Sequence, residues 1–335
     1  MKVEFGVVDH VDRQDRPIHQ TFDSRLKLIE LCEKAGFSTF HITEHHFTPL
    51  GLAPSPLIFL AAASRITERI RLAPLVLITT LYNPLRLAAE ICMLDHLTKG
   101  RIEIGTGRGV SPHELAFYNV DSREAPAIYK ESVEVLIAAL TQDTVDYHGK
   151  YFDYKNVPIE LKPLQQPHPP LWYGTASAET AAMAARQDAN IVSLQTASEA
   201  KVPIGRYKEV WEATHGGRGK TMPKAGLTRF LYVGESDNRA EERGTFGFDK
   251  FYDSFTHLWR KSGAVPSGFD EPSRMREEML IAGAPSTVRE IMERQLEECG
   301  ANYFVARFAY GNLAHEESVR SLELFASDVM PYFQR

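Results

Sequence analysis

Residues 70–105, IRLAPLVLITTLYNPLRLAAEICMLDHLTKGRIEIG, contain one complete strand–helix–strand unit. Ile70–Thr79 is an almost unbroken apolar run of strand length, the pattern of a strand buried on both faces. Pro84–Leu97 carries Pro at its first position and Gly100 just past its end, which is how a helix is punctuated. Arg101–Gly105 resumes as a strand. Two strands joined through a helix are the building unit of a parallel α/β sheet.

The same rhythm extends in both directions. Toward the N-terminus, Val3–Val8 and Phe37–Thr43 read as strands, with helices at Phe22–Ala35 (closed by Gly36) and Ser55–Ile66. Toward the C-terminus a helix spans Ala127–Leu140, and strands follow at Leu171–Gly174, Asn190–Gln195, Leu227–Val233 and Asn302–Phe308. Their helices are Ala178–Gln187, Ser198–Thr214, one starting near Asn238, and His315–Met330. Eight strand-then-helix units predict an α/β protein with a (β/α)8 TIM barrel, in one domain over residues 1–335, rather than a doubly wound sheet. Two stretches break the rhythm. Thr144–Pro170 reads as a hairpin and Pro-rich loop after unit four, and Phe248–Gly283 as a long, lid-like insertion after strand seven. Val288–Cys299 is an amphipathic packing helix.

Composition narrows the function classes. With 38 basic and 44 acidic side chains the net charge is −6, and no block of like charge suggests nucleic acid or an anionic membrane as partner. No apolar run approaches the ~18 residues of a membrane span, and MKVEFGVVDHVD lacks the apolar core of a secretion signal. Cys32, Cys92 and Cys299 are scattered, which argues against a disulfide framework or structural zinc and suits a reducing cytoplasm. The small-residue stretches LAAASRI and LAAEICML suit close helix contact and a homodimer face.

In a barrel of this kind chemistry gathers at the C-terminal strand ends. Those ends supply Asp9 and His10, then Glu44, His45 and His46, later Thr106, Gly107 and Arg108, and finally Arg307 and Phe308. For HITEHHF (His41–Phe47) three readings stand: a metal site, loop histidines bonding carbonyls, or a histidine moving protons for a bound cofactor. Adjacent His45 and His46 face opposite ways on an extended chain, and no further ligand set follows, so no metal is expected. In GRIEIGTGRGVSP (Gly100–Pro112) the third glycine of a dinucleotide fingerprint is missing. Gly105, Gly107 and Gly109 could instead admit a planar ring, with Arg108 on an anion; the alternative is an ordinary glycine turn. In WYGTASAETAAMAARQ (Trp172–Gln187) a strand gives way to a helix opening near Ser177, either a phosphate-binding N-terminus or a plain N-cap.

Taken together, FHITEHHFTPLGL (40–52), LDHLTKGRIEIGTGRG (94–109), QPHPPLWYGTASAET (166–180) and SLELFASDVMPYF (321–333) resemble the bacterial luciferase-like flavin monooxygenases. The resemblance implies a (β/α)8 barrel binding reduced FMN, or a deazaflavin in some branches. With FMN, a separate reductase would supply the reduced flavin, and O2 would form a C4a-peroxyflavin that oxygenates a small organic substrate. The deazaflavin alternative is a hydride-transfer enzyme, and a third reading is a non-catalytic flavin binder. The resemblance further implies His45 and, beside it, Glu44 as the catalytic residues. It assigns Arg108, Ser177 and Thr180 to the phosphate, and a non-proline cis peptide between Leu75 and Val76 to the flavin face. Where luciferases carry a reactive cysteine this chain has Gly107. The acid opening the phosphate block is Ala176, and the strand-six tryptophan is Gln195. Arg123 is the candidate for a second phosphate arginine.

Overall fold

The computed structural model describes residues 2–216 and 219–334. Its strands are β1 (Glu4–Asp9), β2 (Thr39–Ile42), β3 (Arg71–Pro74), β4 (Leu77–Ile78), β5 (Ile104–Gly107) and the hairpin pair β6 (Thr144–His148) and β7 (Asp153–Pro158). Then come β8 (Leu171–Gly174), β9 (Asn190–Ser193), β10 (Ala225–Val233), β11 (Leu280–Gly283) and β12 (Tyr303–Arg307). The helices of the first half are α1 (Ile18–Ala35), α2 (Pro56–Ala63), α3 (Pro84–Leu97), α4 (Pro112–Phe117) and α5 (Ala125–Thr141). Those of the second half are α6 (Ala178–Arg186), α7 (Ala197–His215), α8 (Asp237–Phe255), α9 (His257–Lys261), α10 (Pro272–Met279), α11 (Pro285–Cys299), α12 (His315–Leu324) and α13 (Met330–Phe333).

Parallel pairing runs β3–β2–β1–β12–β10–β9–β8–β5–β4, with β11 added to β10. β3 and β4 are the two halves of the third strand: β3 pairs with β2, and β4 with β5. The circuit therefore returns to its start, with Leu72 and Ile102 bridged across the remaining join. The result is a nearly closed, parallel, barrel-like sheet plus a separate antiparallel hairpin, β6–β7.

Local signals set the element ends. Asn83 caps α3 by accepting from the amides of Leu85 and Arg86, and Pro84 occupies its first position. Gly36 and Gly300 end α1 and α11 in the left-handed conformation, where a Cβ is unfavourable. Inside the sheet Val8, Ala73, Trp172, Val192, Tyr303 and Val305 pack together, with His41 edge-on to Trp172. That layer closes one end of the barrel and leaves the C-terminal strand ends open for a site.

Two sequence expectations need correction. Ile70–Thr79 is not one strand, because Leu75–Val76, joined by a cis peptide bond, interrupts it. The insertion expected over 248–283 is shorter: α8 continues to Phe255 because Phe248, Phe251 and Tyr252 fall on one buried face. At the far end Leu280–Gly283 joins the sheet. The excursion is thus 256–279, and its α10 places Met275 and Met279 against the same aromatic cluster, around Phe230, Phe251 and Tyr310.

Candidate active site

A cavity of about 860 Å³ opens at the C-terminal strand ends. Of the residues singled out from sequence, it is lined by Glu44, His45, Leu75, Val76, Gly107, Arg108, Ala176, Thr180 and Gln195. Ser177 stands just behind them. Its hydroxyl accepts from the Thr180 amide at 3.2 Å and donates to the Thr180 hydroxyl at 3.2 Å, so it caps α6. β5 and β8 are neighbours, with Thr106 opposite Tyr173, so Arg108 and the start of α6 lie side by side. Arg108 is exposed, and its guanidinium has no hydrogen bond or ion pair among the described residues.

Hydrogen bonding separates the two adjacent histidines. The His46 Nε2 donates to Glu44 at 2.8 Å, and its Nδ1 accepts from the Tyr118 hydroxyl at 2.9 Å. Glu44 is used up as well, since its other oxygen accepts from the Ile78 amide at 2.9 Å. Both His46 nitrogens are therefore occupied away from the cavity. His45 is different. Its Nδ1 lies 3.2 Å from Glu114, whose second oxygen accepts from the His46 amide at 2.8 Å. A carboxylate only accepts, so His45 Nδ1 carries the proton and the unpartnered Nε2 is the atom free to work. The ring of His10 stacks on His45 with centroids 5.5 Å apart.

Glu114 was not legible as a site residue. Ser111 and Glu114 have the spacing of a helix capping box. Ser111 does cap α4 by accepting from the Glu114 amide, but the Glu114 side chain turns to the histidines. Two further sequence readings bear on the cavity. Gly107 and Gly109 line the cavity, while Gly105 and Gly107, both within β5, also serve packing. A Cβ on Gly105 would stand 2.3 Å from the Pro74 carbonyl oxygen, and one on Gly107 2.3 Å from Val76 Cγ2, so they let β5 close against β3 and β4. Arg123, the candidate second phosphate arginine, is not among the residues lining the cavity. It is exposed and forks onto Asp121 two residues earlier, with one contact at 2.6 Å.

Among the described residues no group of three or more His, Cys, Asp or Glu could hold a metal. Among the described residues no helix is long and apolar enough to cross a membrane. The donor set instead fits a molecule with one anionic end and a flat apolar body. The end would meet Arg108 and the first turn of α6, and the body would meet Leu75, Val76, Ile78 and Val192.

Comparison with known proteins agrees with that geometry. The profile of the family described as luciferase-like monooxygenase matches residues 3–303. The chain belongs to this family. As a luciferase-like monooxygenase it is a flavin-dependent oxidoreductase. Among similar proteins, the uncharacterized protein y4wF of Sinorhizobium fredii is 34% identical over 98% of this chain and 97% of its own. The oxygenase component of the flavin-dependent trigonelline monooxygenase of Acinetobacter baylyi is 22% identical over 99% and 96%. Among solved structures, the monooxygenase RslO1 of Streptomyces bottropensis superposes with a TM-score of 0.87 at 25% identity, covering 99% of this chain and 100% of that one. Two others share the fold. One is the oxygenating constituent of 3,6-diketocamphane monooxygenase from Pseudomonas putida in complex with FMN, with a TM-score of 0.80, 21% identity and coverage of 99% and 98%. The other is the coenzyme F420-dependent tetrahydromethanopterin reductase of Methanopyrus kandleri, at 0.74, 21%, 99% and 100%.

Proposed function

We propose that this chain is the oxygenase of a two-component system. It would bind reduced FMN delivered by a separate flavin reductase and use O2 to oxygenate a small organic substrate within a single (β/α)8 TIM-barrel domain. The observation that carries the reading is the arrangement of the cavity: an uncommitted Arg108 beside the start of α6, an apolar Leu75–Val76 wall, and one histidine with a free nitrogen. The monooxygenase relatives, one of them an oxygenase component, favour FMN over a deazaflavin.

The bound flavin supplies the electrons that activate O2. The protein does the rest. Arg108, the uncapped amides at the start of α6 and the Thr180 hydroxyl would hold the phosphate, and Leu75, Val76 and Gln195 would line the space for the ring. His45 Nε2, which faces no partner, would accept or return a proton in the cavity, while Glu114 fixes its tautomer. Glu44 acts through His46 and the Ile78 amide, as a positioning residue. The 256–279 excursion brings Phe269, Met275 and Met279 over the cavity, where they exclude water. Exposed Ile58 on α2 and Met93 and Leu97 on α3 support a homodimer, and three buried free cysteines suit a cytoplasmic setting.

Anaerobic fluorescence titration with reduced FMN and with reduced F420 tests this directly. Saturable binding of FMN at least about tenfold tighter than F420 is expected. The opposite preference would make the chain a deazaflavin enzyme, and binding of neither would end the flavin reading.

A further inference from the structure

A second cation sits in the cavity, far from Arg108. Arg307 is the last residue of β12, and in the pairing order β5–β8–β9–β10–β12 it lies four strands around an eight-membered circuit from β5. Arg108 and Arg307 therefore face each other across the barrel mouth. Arg307 is 3% exposed, lines the cavity, and has neither a hydrogen bond nor an ion pair among the described residues. Its Nε is buried without a partner. The guanidinium rests 4.2 Å from the Phe230 ring centroid, which offsets part of its desolvation but supplies no anion.

Asp12 and Asp9 lie near enough to favour the cation electrostatically, but among the described residues neither forms an ion pair with it, and one Asp12 carboxylate oxygen is itself buried without a partner. Asp9 pairs with Arg25 at 2.8 Å and accepts from the Val11 amide, and Asp12 accepts from the Gly311 amide. Burial and the proximity of Asp9 raise Asp12 to about 7, so its charge is incomplete near neutrality. The cavity lining carries three more buried polar atoms without partners, His10 Nδ1, Thr43 Oγ1 and Thr228 Oγ1; His10 is near enough to feel the Arg307 charge, and Thr228 sits on the neighbouring strand β10. A buried charge and several orphaned polar groups in one cavity are costly unless something fills them. Burial pushes Arg307 down only to about 10, so it stays cationic at neutral pH. The remaining wall there is apolar, from Phe251, Phe269 and Met279.

We propose that Arg307, with His10 and Thr228, is the subsite for the carboxylate of the substrate, which is thus a small monocarboxylate with an apolar body. A carboxylate matches the guanidinium fork and accepts from hydroxyl and imidazole N–H donors. The flavin phosphate has its own cation across the barrel, so the two anions do not compete. The word substrate rests on the oxygenase reading above; carboxylate binding does not, because it requires no flavin.

The test uses the flavin-free chain with benzoate and its uncharged isostere benzamide, read by titration calorimetry and by shift in Tm. Benzoate is expected to bind at least about tenfold tighter than benzamide in the wild type. Arg307→Gln should abolish that preference in a chain that still melts cooperatively. Arg307→Lys should keep part of the preference, and Arg108→Ala all of it. Equal binding of the two probes, or binding of neither, would overturn the proposal. So would a preference that survives Arg307→Gln or disappears in Arg108→Ala. An Arg307→Gln chain that melts markedly lower or fails to fold would show a structural guanidinium and also overturn it. Failure of FMN to bind in the separate titration would remove the oxygenase reading and leave the carboxylate result standing.

Discussion

Replacing Glu114 by Gln changes almost no volume but reverses a hydrogen-bond polarity at the centre of the site. The His46 amide, 2.8 Å from one Glu114 oxygen, needs an acceptor, so the glutamine oxygen stays there. The glutamine NH2 then faces His45 Nδ1 across the contact that measures 3.2 Å in the wild type. That nitrogen must accept instead of donate, and the proton moves to Nε2. Stability should change little: an amide–carbonyl bond replaces a charge-assisted one, a loss of about 1 kcal/mol. Glu114→Ala would instead strand the buried His46 amide and lose both bonds, at about 2–4 kcal/mol. Activity should move more than stability, because the wrong tautomer presents a donor where a lone pair is needed; general acid–base catalysis is typically worth about 10²-fold or more. Two measurements decide it: 15N correlation spectra of the imidazole, and single-turnover oxidation of bound reduced FMN. A Gln variant with His45 still protonated at Nδ1 and an unaltered oxidation rate would refute the reasoning.

Two other outcomes follow from the same geometry. Arg108→Ala should weaken FMN by about tenfold to a hundredfold while leaving riboflavin, which lacks the phosphate, nearly unaffected; titrating both ligands checks this. For pH, burial lowers His10 well below its ordinary value and His41 to about 3, and each takes up a proton on unfolding below about pH 6.5. Asp12, raised to about 7, works in the opposite sense and releases one. Across these three groups the balance is an uptake of about one proton, so their joint contribution to stability falls by about 1.4 kcal/mol per unit as pH drops from 6.5 toward 5. His10→Asn should flatten that slope in urea melts, and an unchanged slope would count against the assignment.

The strand–helix alternation was readable because its signals are local: apolar runs, Pro at helix starts, Gly36 and Gly300 at helix ends. The split of the third strand was not, since nothing in IRLAPLVLIT marks where pairing passes from β2 to β5. At the site, FHITEHHF pointed to a loop that lines the cavity, but its residues alone, without the resemblance, could not choose between His45 and His46. That choice depends on Tyr118 and Glu114, about 70 residues away in sequence. Glu114 carried no sequence signal as a site residue, because its contact with His45 and His46 is made only by the fold. Arg307 was visible as a strand-end residue, but its lack of a partner is a property of packing that no spacing encodes.

The central claim is that this barrel holds reduced FMN where it can direct the reaction with O2. Stopped-flow mixing of the anaerobic protein–FMN complex with O2, followed by flavin absorbance, tests it most directly. The account predicts a flavin species that persists well beyond the oxidation of free reduced FMN and is shortened in His45→Ala. Oxidation of the wild-type complex at the rate of the free flavin, indifferent to His45, would contradict it.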